Sequence, residues 1–149
     1  MTSTFPSPGS ARQSGPDPTV AQAMHIGVIE VSPQATLVEV AARMAGARIH
    51  CLVVAPPVAP EGPGDWGIVS DLDLMAAVAA GDERALAGRI AATDAPVVAP
   101  AESVRRAAQL MAEHGVAHLL VASSASDYPI GVISSLDVAA AVATRQNGG

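Results

Sequence analysis

Gly67-Ile68-Val69-Ser70-Asp71-Leu72-Asp73-Leu74 reads as a short buried strand that runs straight into a helix. Gly67 to Val69 form the strand, Ser70 is a natural helix N-cap, and Asp73 falls in the first helical turn, where the helix dipole favours a carboxylate. The pattern returns as Gly131-Val132-Ile133-Ser134-Ser135-Leu136-Asp137-Val138, with glycine, hydroxyl and aspartate in the same places. A helix start with free N–H groups and a serine hydroxyl can hold an anion such as a phosphate. A carboxylate one turn further accepts hydrogen bonds from neighbouring hydroxyls, as a ribose diol would offer. Two copies imply two nucleotide-sized half-sites. The plainer reading is that each Ser only caps its helix and each Asp answers the dipole.

Working outward, the rest of the chain repeats with the signature. Val31-Ser32-Pro33 matches Val98-Ala99-Pro100, and Leu37, Val40, Ala41 and Met44 match Val104, Ala107, Ala108 and Met111, all at an offset of 67. Ile49 to Val54 matches Val116 to Val121 at that offset, while the signatures match at 64 because the second intervening loop is three residues shorter. Insertions confined to a loop are what a duplicated fold should show. Each unit reads strand–helix–strand–strand–helix. One alone is too small to bury its helices and both faces of its sheet, so two occur in tandem.

The local signals place the elements. Thr19 to Met24 predicts a short lead-in helix, and Ile26 to Val31 a strand ended by Pro33. Thr36-Leu37-Val38-Glu39 is a capping box, followed by Leu37, Val40, Ala41 and Met44 at helical spacing with Arg48 at the end. Cys51 to Val54 is a buried strand. Residues 55–66 are rich in Pro and Gly and predict an exposed loop. The signature helix runs to about Ala80, and Ala85 to Ile90 is a helical connector. Gly115 is a helix C-cap, so His114 and His118 do not share a face as a metal pair would. Ser123 to Asp127 reads as a loop tip, and Trp66 and Tyr128 as loop anchors. Residues 1–18 are rich in Ser, Pro and Gly and predict a disordered tail. The organisation is therefore tail 1–18, first repeat 19–84, second repeat 85–145 and a flexible C-terminus 146–149.

Composition narrows the function. Half of the 149 residues are hydrophobic, 15% are charged, and the formal net charge is −6. Every cation is Arg. With Phe5, Trp66 and Tyr128 as the aromatics and no Arg cluster beyond Arg105-Arg106, both stacking platforms and a phosphate-backbone footprint are missing, which argues against nucleic acid as partner. Cys51 is the single cysteine and reads as a small buried hydrophobe, so no internal disulfide forms and a reducing compartment follows. No signal peptide and no apolar run of membrane-spanning length occur, which together point to the cytoplasm. The absence of Lys with abundant Ala and Arg hints at a bacterial genome. No Gly-rich phosphate loop, nucleophile elbow, zinc spacing or Schiff-base Lys is present, so an enzyme is not expected.

The doubled Gly-x-x-Ser-x-x-Asp signature, the Met24…Val31-Ser-Pro33 opening and the Ile49-His-Cys-Leu-Val-Val54 and Val116-Ala-His-Leu-Leu-Val121 strands resemble a pair of cystathionine-β-synthase (CBS) domains, a Bateman module, over about residues 19 to 145. The resemblance implies an α/β (α+β) fold of two tandem β-α-β-β-α repeats packed through their sheets with pseudo-twofold symmetry. It implies a non-catalytic regulatory or energy-sensing module, a homodimer, that binds AMP, ADP, ATP or S-adenosylmethionine between the repeats and signals to a downstream protein, with no cofactor or metal required. One cleft would combine Ser134 and Asp137 with Ile26, Gly27, Ile49 and His50, with Ala117 and His118 nearby. The other would combine Ser70 and Asp73 with Thr93, Asp94, Val116 and Ala117, with His50 and Cys51 nearby. Each aspartate would take the ribose hydroxyls, each serine the α-phosphate, and His50 or His118 would add a donor or charge beside the phosphate. Asp71, next to Ser70, puts an extra negative charge in the first cleft where the second has neutral Ser135, so the cleft around Asp137 is expected to bind more tightly. The alternative is a ligand-free dimerisation or protein-interaction scaffold on the same fold.

Overall fold

The structure, a computed structural model, describes residues 17–59, 62–92, 96–124 and 127–148. Residues 1–16 of the expected tail, Thr93 and Asp94 of the first cleft, and residues 125–126 of the loop tip lie outside the described residues. In chain order the elements are α1 (Val20–Ala23), β1 (His25–Ile26), β2 (Glu30–Val31), α2 (Leu37–Ala47), β3 (Cys51–Val54), β4 (Val58–Ala59), β5 (Gly62–Pro63), β6 (Gly67–Ser70), α3 (Asp71–Ala79), α4 (Ala87–Ile90), α5 (Val104–His114), β7 (His118–Val121), β8 (Gly131–Ser134) and α6 (Ser135–Gly148). No described helix is long and apolar enough to cross a membrane.

Local chemistry sets the helix ends. The Thr36 hydroxyl accepts the Glu39 amide and the Glu39 carboxylate accepts the Thr36 amide, so α2 begins on the capping box its sequence spells out. It ends at Arg48 in the left-handed region, φ 54°. The equivalent residue after α5 is Gly115, φ 63°, which lacks the Cβ that makes this conformation cost a residue such as Arg48 about 1 kcal/mol. The last helix, α6, is assigned through Gly148.

Two three-stranded sheets carry the molecule, in the orders β2-β3-β6 and β1-β8-β7. Side chains alternate across each strand. Leu52, Val54 and Val69 face α2, α3 and α4 in the first core; Leu119, Val121 and Ile133 face α1, α5 and α6 in the second. The opposite faces, Val53, Ile68 and Leu120 with Cys51, Trp66 and Val132 around them, meet between the sheets. Both faces of β3, β6, β7 and β8 are therefore largely apolar, which is why these strands read as nearly continuous hydrophobic runs.

The expected single strand from Ile26 to Val31 is instead two strands in different sheets. β1 pairs antiparallel with β8 of the second repeat, and β2 pairs parallel with β3 of the first. Gly27 between them takes φ 87°, a turn glycine allows and that redirects the chain from one sheet to the other. A Cβ at Gly131 would overlap the His25 carbonyl oxygen, so β1 needs that glycine to lie against β8. The connector makes the reciprocal crossing: Ala92 bridges Ile68 in the first sheet and Val98 bridges Val121 in the second. The short helices are exchanged as well. Val20 N–H donates to the Glu102 carbonyl of the second repeat, and Ala87 N–H to the Ala35 carbonyl of the first. The Pro- and Gly-rich stretch expected as pure loop contains a small hairpin, β4 against β5.

Candidate functional site

Both signatures begin a helix, and each does so by reciprocal capping. The Ser70 hydroxyl accepts the Asp73 amide, while Asp73 Oδ2 accepts from the Ser70 amide at 2.8 Å and from the Ser70 hydroxyl at 3.0 Å. The Ser134 hydroxyl accepts the Asp137 amide at 3.1 Å, and Asp137 Oδ2 accepts the Ser134 amide at 2.8 Å. The plain capping reading is thus realised at both signatures, and it leaves acceptor capacity on each carboxylate.

The two carboxylates differ beyond that. Asp73 is half-buried, and its Oδ1 takes no hydrogen bond from a described group. Asp137 is 8% exposed, the buried charged residue of the described core. Its carboxylate meets His25 Nδ1, at 3.0 Å from Oδ1 and 3.2 Å from Oδ2. The strand exchange makes this contact, because β1 lies beside β8. The matching position beside the first signature, one offset of 67 away, is Ala92, which cannot make it. Sequence reasoning missed His25. The signal was present in the offset, but only an exchanged strand turns it into a contact.

The remaining expected residues divide by repeat. His50 is exposed and pairs through Nδ1 with Asp71 Oδ2 at 3.0 Å, while its carbonyl accepts the Asp71 amide. Asp71 therefore has a histidine partner at the head of α3, which reduces the repulsion assigned to it. Cys51 lies opposite Ser70 in the β3–β6 ladder, and His118 lies opposite Ser134 in the β7–β8 ladder. Ile49 and Val116 are half-buried at the edges of their own repeats' cores, and the Ala117 carbonyl accepts the Ser135 amide. Ile26 is 86% exposed on the edge strand, beside Gly27 at the turn.

His118 and Cys51 both lie within electrostatic reach of carboxylates from the two signatures. Burial holds His118 below its ordinary 6.5; Asp71 raises it, His50 lowers it, and Asp137 and Asp73 raise it. Burial thus favours the neutral form of His118, which suits the hydrogen-bonding role of the two expected for it more than the charged one. Burial, followed by Asp71 and Asp137, pushes the Cys51 thiol up to about 11. With that value about one Cys51 in a thousand is thiolate at pH 8, so alkylation by iodoacetamide should be on the order of a hundredfold slower than for an ordinary exposed thiol. A mass-spectrometric time course checks this, and free-thiol rates would contradict it. Among the described residues, no group of three or more His, Cys, Asp or Glu is placed to hold a metal ion.

Asp137 opens onto a hollow of about 450 Å³ lined by Pro18, Gln22, Ala23, Ala140, Ala141 and Thr144, between α1 and α6. Its size lies within the range of small-molecule sites. A second hollow of about 460 Å³, lined by Pro33, Gly67, Arg84 and Arg89 among others, touches none of the signature serines or aspartates.

These features define a tandem-repeat α+β module, two half-units that exchange their leading segments and join through their sheets. The chain belongs to the CBS domain family: the CBS domain model matches residues 20–80 and 87–144, one stretch per repeat. Comparison with curated proteins gives no match. Among solved structures, the chain is similar to a CBS domain pair in complex with 5′-methylthioadenosine and S-adenosyl-L-methionine, at TM-score 0.73 and 18% identity over 87% of this chain and 99% of that one. It is similar to a CBS domain protein from Pyrobaculum aerophilum complexed with AMP, at TM-score 0.69 and 24% identity over 87% of this chain and 98% of that one. It is also similar to a hexameric CBS-CP12 protein from bloom-forming cyanobacteria, at TM-score 0.71 and 23% identity over 81% of this chain and 69% of that one.

Proposed function

We propose that the chain is a non-catalytic, cytoplasmic regulatory module that binds an adenosine ligand, AMP, ADP, ATP or S-adenosylmethionine, between its repeats. The observation that carries this reading is the buried Asp137 carboxylate at the head of a helix, opening onto a hollow of nucleoside size. Asp137 would accept from the ribose hydroxyls, while Ser134 and the α6 N-terminus would receive an α-phosphate or a neutral polar group in its place. The complexes of two structural relatives with AMP and with S-adenosyl-L-methionine support the ligand class. Thermal shift with an adenine-ligand panel tests it: at a concentration 100-fold above the dissociation constant, about 2.7 kcal/mol of stabilisation is expected. No shift with any member rejects the reading.

Such a module signals only if ligand favours one of two arrangements over the other. We take the arrangements to be those of a homodimer. Leu72, Met75 and Val78 on α3 are 73%, 53% and 53% exposed, and Leu136 and Val142 on α6 are 74% and 55% exposed. Two related helices thus carry matching apolar stripes, a self-complementary surface suited to a second copy. These stripes also favour the second reading, a ligand-free scaffold using the same face. Leu72→Asp combined with Leu136→Asp should turn a dimer into a monomer in sedimentation velocity; an unchanged sedimentation coefficient would place the interface elsewhere.

A further inference from the structure

We infer that His25 is a built-in latch on Asp137, which occupies the carboxylate in the free protein and must swing away before a vicinal diol can enter. The inference rests on the adenosine reading above and adds to it how access to that site is governed. Three observations carry it. His25 Nδ1 reaches both oxygens of a carboxylate that is otherwise almost wholly buried. The histidine side chain is itself 81% exposed, so it can leave without opening the core. Beside the first signature the counterpart of His25 is Ala92, so the contact is not a requirement of the fold.

The contact also competes with a diol atom for atom. The His25 ring occupies both oxygens that a vicinal diol would need, while the hollow beside them is lined on α1 and α6 by Gln22, Ala23, Ala140, Ala141 and Thr144, so a diol displaces the ring rather than adding to it.

The probe is adenosine, which carries the diol and no phosphate, followed by calorimetry. From the modest strength of a part-exposed histidine–carboxylate contact, His25→Ala should bind about three- to tenfold more tightly than the unmodified chain. The difference should vanish for 2′,3′-dideoxyadenosine. Equal affinities, or weaker binding by His25→Ala, would overturn the latch and leave the adenosine reading intact. Adenosine bound by neither protein would overturn the adenosine reading, and the latch as its competitor with it. A ligand-free readout completes the test: ring ¹⁵N shifts should place the neutral His25 proton on Nδ1, and Asp137→Asn should move it to Nε2. Finding it on Nε2 in the unmodified chain would sink the contact whether or not any nucleoside binds.

Discussion

Asp137→Ala is expected to weaken adenosine-ligand binding by about two orders of magnitude or more, whereas Asp73→Ala changes it by less than about threefold. A ribose diol offers two hydrogen bonds to one carboxylate, each charge-assisted and worth roughly 1.5–3 kcal/mol before costs. Together they correspond to about 10²–10⁴ in affinity. Releasing His25 offsets part of this, which favours the lower end. The asymmetry follows from environment. Asp137 is buried beside a hollow, where an ionic hydrogen bond is least diluted by water, while half-buried Asp73 lines neither of the hollows described above. Both substitutions remove one arm of a helix cap and should cost about 1 kcal/mol of stability, so they serve as controls for each other. Calorimetric titration of AMP and ATP into the two variants decides the matter; equal losses would refute the asymmetry.

Local chemistry was legible in the sequence, and chain crossing was not. Thr36 and Glu39 announce α2 because both halves of a capping box lie within four residues. Ser70 with Asp73 and Ser134 with Asp137 are equally local, and the doubled spacing made the pair of repeats unmistakable. The run from Ile26 to Val31 misled for a physical reason. The largely apolar residues Ile26 to Val31 look like one strand although they belong to two sheets, and a single Gly27 does not tell a turn from a bulge. The contact between His25 and Asp137 spans 112 positions and exists only because of that turn. For the same reason the lining of the hollow by Pro18, Gln22 and Ala23 was invisible, since a lead-in helix was assigned to the repeat that follows it in sequence.

The crossing implies that the sequence repeat is not the folding unit. Val20, fully buried, belongs to the core of the second repeat, and Ala87, equally buried, to the core of the first. Backbone bonds follow the same exchange: Ala21 N–H donates to the Pro100 carbonyl and Gly88 N–H to the Pro33 carbonyl. Cutting the chain between Arg84 and Ala85, at the boundary the repeat suggests, therefore strips the second core of α1 and β1 and the first of α4 and the Ala92 bridge. What remains must also expose the sheet face built from Val53, Ile68 and Leu120. Each exposed core side chain costs about 1.5–3 kcal/mol, and a small domain has only about 5–15 kcal/mol in total. Residues 17–84 and 85–148 made separately should each lack a cooperative melting transition and dispersed amide spectra at micromolar concentration. Mixed in equal amounts they should regain both, because the crossings can form between chains as they do within one. Circular dichroism and amide NMR of the halves and their mixture provide the comparison. A half that melts cooperatively alone would show that the exchanged segments decorate a self-sufficient repeat rather than complete it.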